Sequence, residues 1–170
     1  MRGLPLIPTL ETERLLLRAQ TMQDWPAYAG LMMSDHAAFM EGPHALGDAW
    51  GLFCHDLAQW HLLGVGGLMI EERETGQCLG QVGISYGPLF PEHELGWFLF
   101  PGAKGKGYAF EAAGALRDWG FGVHGLTNIV SHIDPENHRS RKLAERLGAV
   151  LETDAERPGP EVLLYRHMAP

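Results

Sequence analysis

The spacing of hydrophobic and polar positions changes several times along the chain, and each change marks an element. Arg14 to Arg18 (RLLLR) reads as a first strand. Thr21 or Asp24 can cap the helix that follows, with Pro26 tolerated in its first turn and an end near Ser34. Ala38 to Pro43 breaks the pattern and reads as a loop. Between Asp48 and Trp60 the bulky positions Trp50, Phe53, Leu57 and Trp60 recur at helical spacing. Val65 to Glu72 and Leu79 to Tyr86 read as strands, and the turn residues Glu74-Thr75-Gly76 between them predict an antiparallel hairpin. Glu92 to Phe100 is a fourth strand, stopped by Pro101-Gly102. A helix from about Tyr108 to Phe121 leads to a fifth strand, Asn128 to Ile133. A late helix from about Asn137 to Leu147 closes at Gly148, and short strands at Val150 to Glu152 and Val162 to Tyr165 finish the chain. The order is mixed α+β, with one strand–helix–strand crossover and no internal repeat or low-complexity tract.

A length of 170 residues with 45% apolar content fits a single domain, residues 1–170, with a core of useful size. The longest apolar run, Leu62 to Ile70, is about half of the ~20 residues that a membrane span requires. Pro5, Pro8, Glu11 and Glu13 spoil a signal-peptide reading. Cys54 and Cys78 form no CxxC pair and suit a reducing, cytoplasmic setting. A net charge of −8 disfavours nonspecific nucleic-acid binding. Basic residues nevertheless gather in two places: Lys104 and Lys106, and Arg139, Arg141, Lys142 and Arg146. Such spots on an acidic body suit an anionic cofactor, with a cationic second substrate elsewhere. Solvated helix faces are the plainer alternative, and Arg146 is read that way.

The stretch from His93 to Ala112, HELGWFLFPGAKGKGYAFEA, carries the most chemistry. It runs from an aromatic-rich strand through a Pro-Gly turn and a Lys/Gly loop into an alanine-rich helix. Gly105 and Gly107 remove side chains where the backbone approaches a ligand. The helix beginning near Tyr108 aims unpaired N–H groups and a positive dipole end at the same place. A phosphate group is the natural guest.

Several common motifs fail on their context. Gly83-Ile84-Ser85-Tyr86-Gly87 matches GxSxG, but that elbow needs a helix after the serine, and Pro88 and Pro91 follow instead. His93-Glu94 begins like HExxH, yet Trp97 holds the second ligand position, and the nine histidines show no i, i+4 pair, so no metal is expected. Gly105-Lys106-Gly107-Tyr108-Ala109-Phe110 starts like GxGxxG, with Phe110 in the third small position and the loop late in the chain. No Ser or Thr follows a Gly-Lys pair, which excludes a Walker loop.

Lys104-Gly105-Lys106-Gly107-Tyr108-Ala109 resembles the [Q/R]xxGx[G/A] pyrophosphate loop of the GNAT N-acetyltransferase superfamily, and Glu111-Ala112 resembles the family's usual helix start. Glu94 to Trp97 with Pro101 resembles its fourth strand and exit. Asp134-Pro135-Glu136-Asn137-His138-Arg139-Ser140, continuing to Glu145-Arg146-Leu147-Gly148, is similar to DPxNxxSxxxxExxG of the ribosomal-protein N-acetyltransferase-like branch, as is Thr12 to Arg18 at the start. The resemblance spans nearly the whole chain. It departs at Lys104, which replaces Gln or Arg and loses the bidentate fork, and at Phe110, where Thr is usual.

The resemblance implies a GNAT-like fold: a mixed, mostly antiparallel sheet splayed between the fourth and fifth strands and flanked by helices. It implies an N-acetyltransferase using acetyl-CoA or a close acyl-CoA, with a primary amine as acceptor, either a protein N-terminus or a small molecule. The diphosphate would lie on N–H groups from Gly105 to Ala109, beside Lys104, Lys106 and Tyr108, and pantetheine on the strand edge formed by Trp97, Phe98, Leu99 and Phe100. Asn137 would touch the pantetheine arm or cap its helix, and Arg139 or Arg141 would meet the adenosine phosphate. Glu94 is the expected general base, with His93 and Asp134 as alternatives. Ser140 would donate to the departing thiolate, and a backbone N–H near Phe98 or Leu99 would stabilise the oxyanion. Phe53 and Trp60 are expected in the core, whereas Phe39, Met40 and Glu41 are candidates for an acceptor channel. No metal, nucleic acid or membrane partner is expected, and a homodimer is compatible. The alternative function is a non-catalytic acyl-CoA sensor or subunit of the same fold.

Overall fold

The computed structural model describes residues 6–154 and 161–170, so Pro5 lies outside them. In chain order the strands are β1 (Leu10–Glu11), β2 (Leu15–Arg18), β3 (Gly67–Glu72), β4 (Cys78–Gly87), β5 (Phe90–Leu99), β6 (Ile129–Ile133), β7 (Val150–Glu152) and β8 (Leu163–His167). The helices are α1 (Trp25–Met32), α2 (Leu46–Leu63), α3 (Tyr108–Gly122) and α4 (His138–Arg146). All eight strands join one sheet in the order β1-β2-β3-β4-β5-β6-β8-β7. Every neighbouring pair is antiparallel except β5 and β6, which the α3 crossover makes parallel.

Alternation along the strands sorts side chains onto two faces. Leu15, Leu17, Leu68, Ile70, Val82, Ile84, Leu95 and Ile129 pack on one face against Ala112, Ala113 and Leu116 of α3. Met69, Phe98 and Phe100 point the other way, toward Tyr28, Leu31 and Phe53 of α1 and α2. The alanines of α3 let its axis come close to the sheet. Gly66 does the same for α2, because a Cβ there would sit 2.6 Å from the Asp56 carbonyl oxygen. Phe53 and Trp60 are buried as expected, and the Trp60 indole N–H donates to Gly67 O at 2.8 Å.

Two local expectations are corrected and one strand is added. Residues 38–40 are not loop: Asp35–Met40 forms a 3-10 helix, because the Ser34 hydroxyl accepts from the His36 N–H and supports its start. Asp24 stands at the N-cap of α1 but makes no side-chain cap bond. Its carboxylate takes both Arg18 Nη atoms at 2.9 Å and the Thr21 N–H at 2.8 Å instead. The two-residue strand β1 carries too short a pattern to show in the sequence.

Candidate active site

The loop between β5 and α3 turns on two left-handed residues, Gly105 at φ 83° and Gly107 at φ 81°. Gly107 is the N-cap of α3 and offers no side-chain partner to the helix. A Cβ on Gly105 would meet nothing within 4 Å, and one on Gly107 would meet only Arg14 Nη2 at 3.5 Å. The backbone conformation requires glycine here, and the space outside the loop is open. The Glu111 N–H is the first to reach back into α3, donating to Gly107 O at 3.1 Å. The N–H groups just before it have no carbonyl one turn back within the helix. Lys104 and Lys106 are exposed beside them. Tyr108 is turned inward: its ring is buried and its hydroxyl donates to Glu72, so only its main chain faces the loop.

From this loop the free edge of β5 leads into the sheet. β5 and β6 share a single registered pair, Glu94 and Val130, and part beyond it. On its other side β5 is paired with β4 as far as Leu99, and the Phe100 N–H donates to Leu79 O at 2.8 Å. Hydrogen-bonding direction alternates along an antiparallel pair. Phe100 and Phe98 are therefore committed to β4, and Leu95, Trp97 and Leu99 direct their main-chain groups toward β6. Ser131 Oγ accordingly reaches the Leu95 carbonyl. Of the four residues expected on the open edge, Trp97 and Leu99 present their main chain there, while Phe98 and Phe100 are corrected to the aromatic core. The Trp97 side chain bridges the gap, its indole N–H donating to Ser140 Oγ at 3.2 Å. Asn137 caps α4 through its Oδ1, which accepts the Ser140 N–H at 3.2 Å.

Glu94 lies on the opposite face, on the α1–α2 side. Its Oε2 is 2.9 Å from His132 Nδ1, and both side chains are mostly covered. Gly96, next on that face, carries no side chain, and a Cβ there would meet nothing within 4 Å. Phe98 follows, its ring 5.8 Å from that of Tyr28. The Tyr28 hydroxyl donates to Asp56 Oδ2 at 3.0 Å. Burial and the Asp56 charge push that phenol well up, so it stays protonated. Trp25, Trp50 and Phe53 continue the aromatic wall. Met40 packs against this cluster, while Phe39 and Glu41 are exposed.

The remaining candidates fall outside this arrangement. His93 stacks on Tyr86 with ring centroids 4.1 Å apart. Asp134 takes the Glu136 N–H in a turn at 2.8 Å. Arg141 is tied to Pro135 O at 3.0 Å, whereas Arg139 is exposed. Arg146, read as solvated, places its guanidinium 4.3 Å above the Phe110 ring. Ser85 lies in mid-strand, 3.5 Å from Gln59 Nε2, not on an elbow. Among the described residues no group of three or more His, Cys, Asp or Glu could hold a metal, and no helix is long and apolar enough to cross a membrane.

Sequence reasoning missed His132, Tyr28, Asp56 and the partners of Glu111. His132 meets Glu94 only through the pairing of β5 with β6, which sets Val130, and the strand face it shares with His132, beside Glu94. Tyr28 and Asp56 meet only through tertiary packing. Glu111 accepts from Thr12 Oγ1 at 2.6 Å and from Arg14 Nε at 2.7 Å, across nearly a hundred residues. Burial alone would raise the Glu111 carboxyl, but the bonds from Thr12 and Arg14 hold it below the usual range.

Comparison with known proteins identifies the family and the fold. The family described as Acetyltransferase (GNAT) domain matches residues 14–150. The uncharacterized N-acetyltransferase YnaD of Bacillus subtilis is 30% identical over 146 residues, covering 82% of this chain and 81% of its own. The crystal structure of an acetyltransferase from Agrobacterium tumefaciens superimposes with a TM-score of 0.93 at 53% identity, covering 96% of this chain and 95% of that one. A RimL ribosomal L7/L12 alpha-N-protein acetyltransferase in complex with coenzyme A shares the fold, with a TM-score of 0.76 at 16% identity over 95% of this chain and 98% of its own.

Proposed function

The chain belongs to the GNAT acetyltransferase family and is an N-acetyltransferase, and from that premise we propose that it moves an acetyl group from acetyl-CoA to a primary amine, a protein N-terminus or a small molecule, by direct transfer in a ternary complex. The observation that carries this reading is the opening between β5 and β6. It has a free strand edge and an anion-ready loop on the α3 side, and a carboxylate with an empty glycine position on the other.

The residues fit the co-substrate. N–H groups from Gly105 to Ala109 hold the diphosphate, with Lys104 and Lys106 adding positive charge. Main-chain groups of Trp97 and Leu99 pair with the pantetheine amides as an added strand would. The thioester then lies at the parting of β5 and β6, next to Glu94. Arg139, exposed on the first turn of α4, is left free for the adenosine phosphate.

Attack needs a neutral amine, and a lysine-like amine with a pKa of ~10.4 is almost wholly charged at neutral pH. Glu94 takes its proton, directly or through water, with His132 fixing the carboxylate. The nitrogen bonds to the acetyl carbon, the carbonyl oxygen gains charge against the Leu99 or Trp97 N–H, and the carbon–sulfur bond breaks. Ser140 donates to the departing sulfur from α4, held in place by the Trp97 indole. Asp56 and Glu94 give the acceptor side a negative lining that favours a cationic amine. Cytoplasmic placement belongs to the same reading, since both cysteines are free thiols.

An acceptor screen with acetyl-CoA tests it, read by thiol release and mass shift. Amine-dependent thiol release, with the acceptor gaining the mass of one acetyl group, is expected. No release with any peptide N-terminus, polyamine, amino acid or amine antibiotic would overturn it.

A further inference from the structure

Arg14 lies just before β2, yet its side chain reaches across to the start of α3 and the loop that precedes it. Its Nη1 donates to the Lys106 carbonyl at 2.9 Å and its Nε to Glu111 Oε2 at 2.7 Å. Its own backbone N–H donates to Glu111 Oε1 at 2.9 Å, and the guanidinium lies 4.6 Å from the centre of the Tyr108 ring. Thr12 Oγ1 completes the set by donating to Glu111 Oε1 at 2.6 Å. The turn carrying both residues is itself pinned: Arg73 Nη1 donates to Thr12 O at 2.8 Å, and the Arg73 N–H to Arg14 O at 2.9 Å.

We propose that Arg14, supported by Thr12 and Glu111, is a positioning residue that sets the anion-binding conformation of the Gly105–Gly107 loop. The inference rests on the reading of that loop as the diphosphate site. A trans peptide points its C=O and N–H in opposite directions. Holding the Lys106 carbonyl inward on Arg14 therefore turns the Gly107 N–H outward, to the open side of the loop. Two left-handed glycines give this stretch freedom to rotate, and Arg14 removes it. Arg14 has a second effect. Glu111 places a carboxylate in the first turn of α3, close to an incoming diphosphate, and the ion pair neutralises it. A lysine keeps the charge but cannot reach the Lys106 carbonyl and Glu111 together in one planar fork.

The test compares coenzyme A with pantetheine, which lacks the diphosphate and nucleotide, on the full-length protein. Calorimetry gives the first dissociation constant and an NMR titration the second. Arg14→Ala should weaken coenzyme A binding about tenfold or more and leave pantetheine within about twofold. Arg14→Lys should weaken coenzyme A roughly fivefold, and Thr12→Val by less, each with pantetheine unchanged. A residue that merely supported the fold would move both ligands together or neither. If Arg14→Ala does not fold, the other two variants decide. Coenzyme A binding at the parent level in Arg14→Lys and Thr12→Val, or equal losses for both ligands, would overturn the proposal. A parent protein that binds no coenzyme A would remove the cofactor reading beneath it and the proposal with it.

Discussion

The two mouths of the β5–β6 opening are built from different materials. On the α3 side the groups proposed to bind are main chain: N–H groups around Gly105 and Gly107 and the edge of Trp97 and Leu99. On the α1–α2 side they are side chains, Glu94 with His132, Tyr28 with Asp56, and the aromatic wall of Trp25, Trp50 and Phe53. A main-chain site asks for conformations rather than particular side chains, which suits a constant co-substrate and is compatible with Lys104 in place of Gln or Arg. A side-chain site is tuned residue by residue, which suits the partner that varies. Substitutions should therefore separate cleanly, with turnover lost from one mouth and co-substrate affinity from the other.

Glu94→Gln should separate them most. Turnover falls by about 100-fold or more when a general base is removed, while the coenzyme A dissociation constant stays within about twofold. Steady-state kinetics beside calorimetry checks this, and equal losses in both would move Glu94 out of the chemistry. Ser140→Ala should lower turnover roughly 10- to 100-fold through the lost hydrogen bond to a charged sulfur. An acceptor Michaelis constant that stays fixed places the effect on the leaving group. Gly107→Val should act on the other mouth, since a φ of 81° is strained for a branched side chain. At about 1–2 kcal/mol of left-handed strain the loss in coenzyme A affinity is roughly 5- to 30-fold, read by calorimetry, with the amine's saturation unchanged.

The smallest effect belongs to the point where the two mouths meet. Ser131 Oγ links the Leu95 carbonyl to His167, which is buried in β8. Burial first, and the Arg117 charge second, push His167 down to about 4 from an ordinary 6.5. The unfolded chain therefore binds more protons between these values. The stability contribution is full above about pH 6.5 and is lost as pH falls toward 4. Going from pH 7 to 5.5 should cost about 1.2 kcal/mol, roughly eightfold in the folding constant. Urea denaturation at the two pH values checks it, and His167→Gln should flatten that part of the profile.

Sequence legibility follows the same division. The glycine loop ahead of α3 was readable because its requirements are local: glycines at fixed spacing before a helix. The succession of elements along the chain, the β3–β4 hairpin and the crossover were readable from periodicity and turn residues. What failed needed information outside the segment. Phe98 and Phe100 turn their main chain to β4 because of register, which no single strand reveals. Asp24 gave up its cap to Arg18, a competitor the local rule does not include. Arg14 and Glu111 meet only after folding, and so do Tyr28 and Asp56, so neither pair leaves a spacing to detect.

The central claim is that main-chain amides of residues 105–109 grip the diphosphate of the acyl donor. An amide-resolved NMR titration with coenzyme A tests it directly. The account predicts saturable shifts centred on Gly105, Lys106, Gly107, Tyr108 and Ala109, with weaker ones at Trp97 and Leu99, and none on the outer strands β1 and β7. Unmoved loop amides at saturating coenzyme A would contradict it.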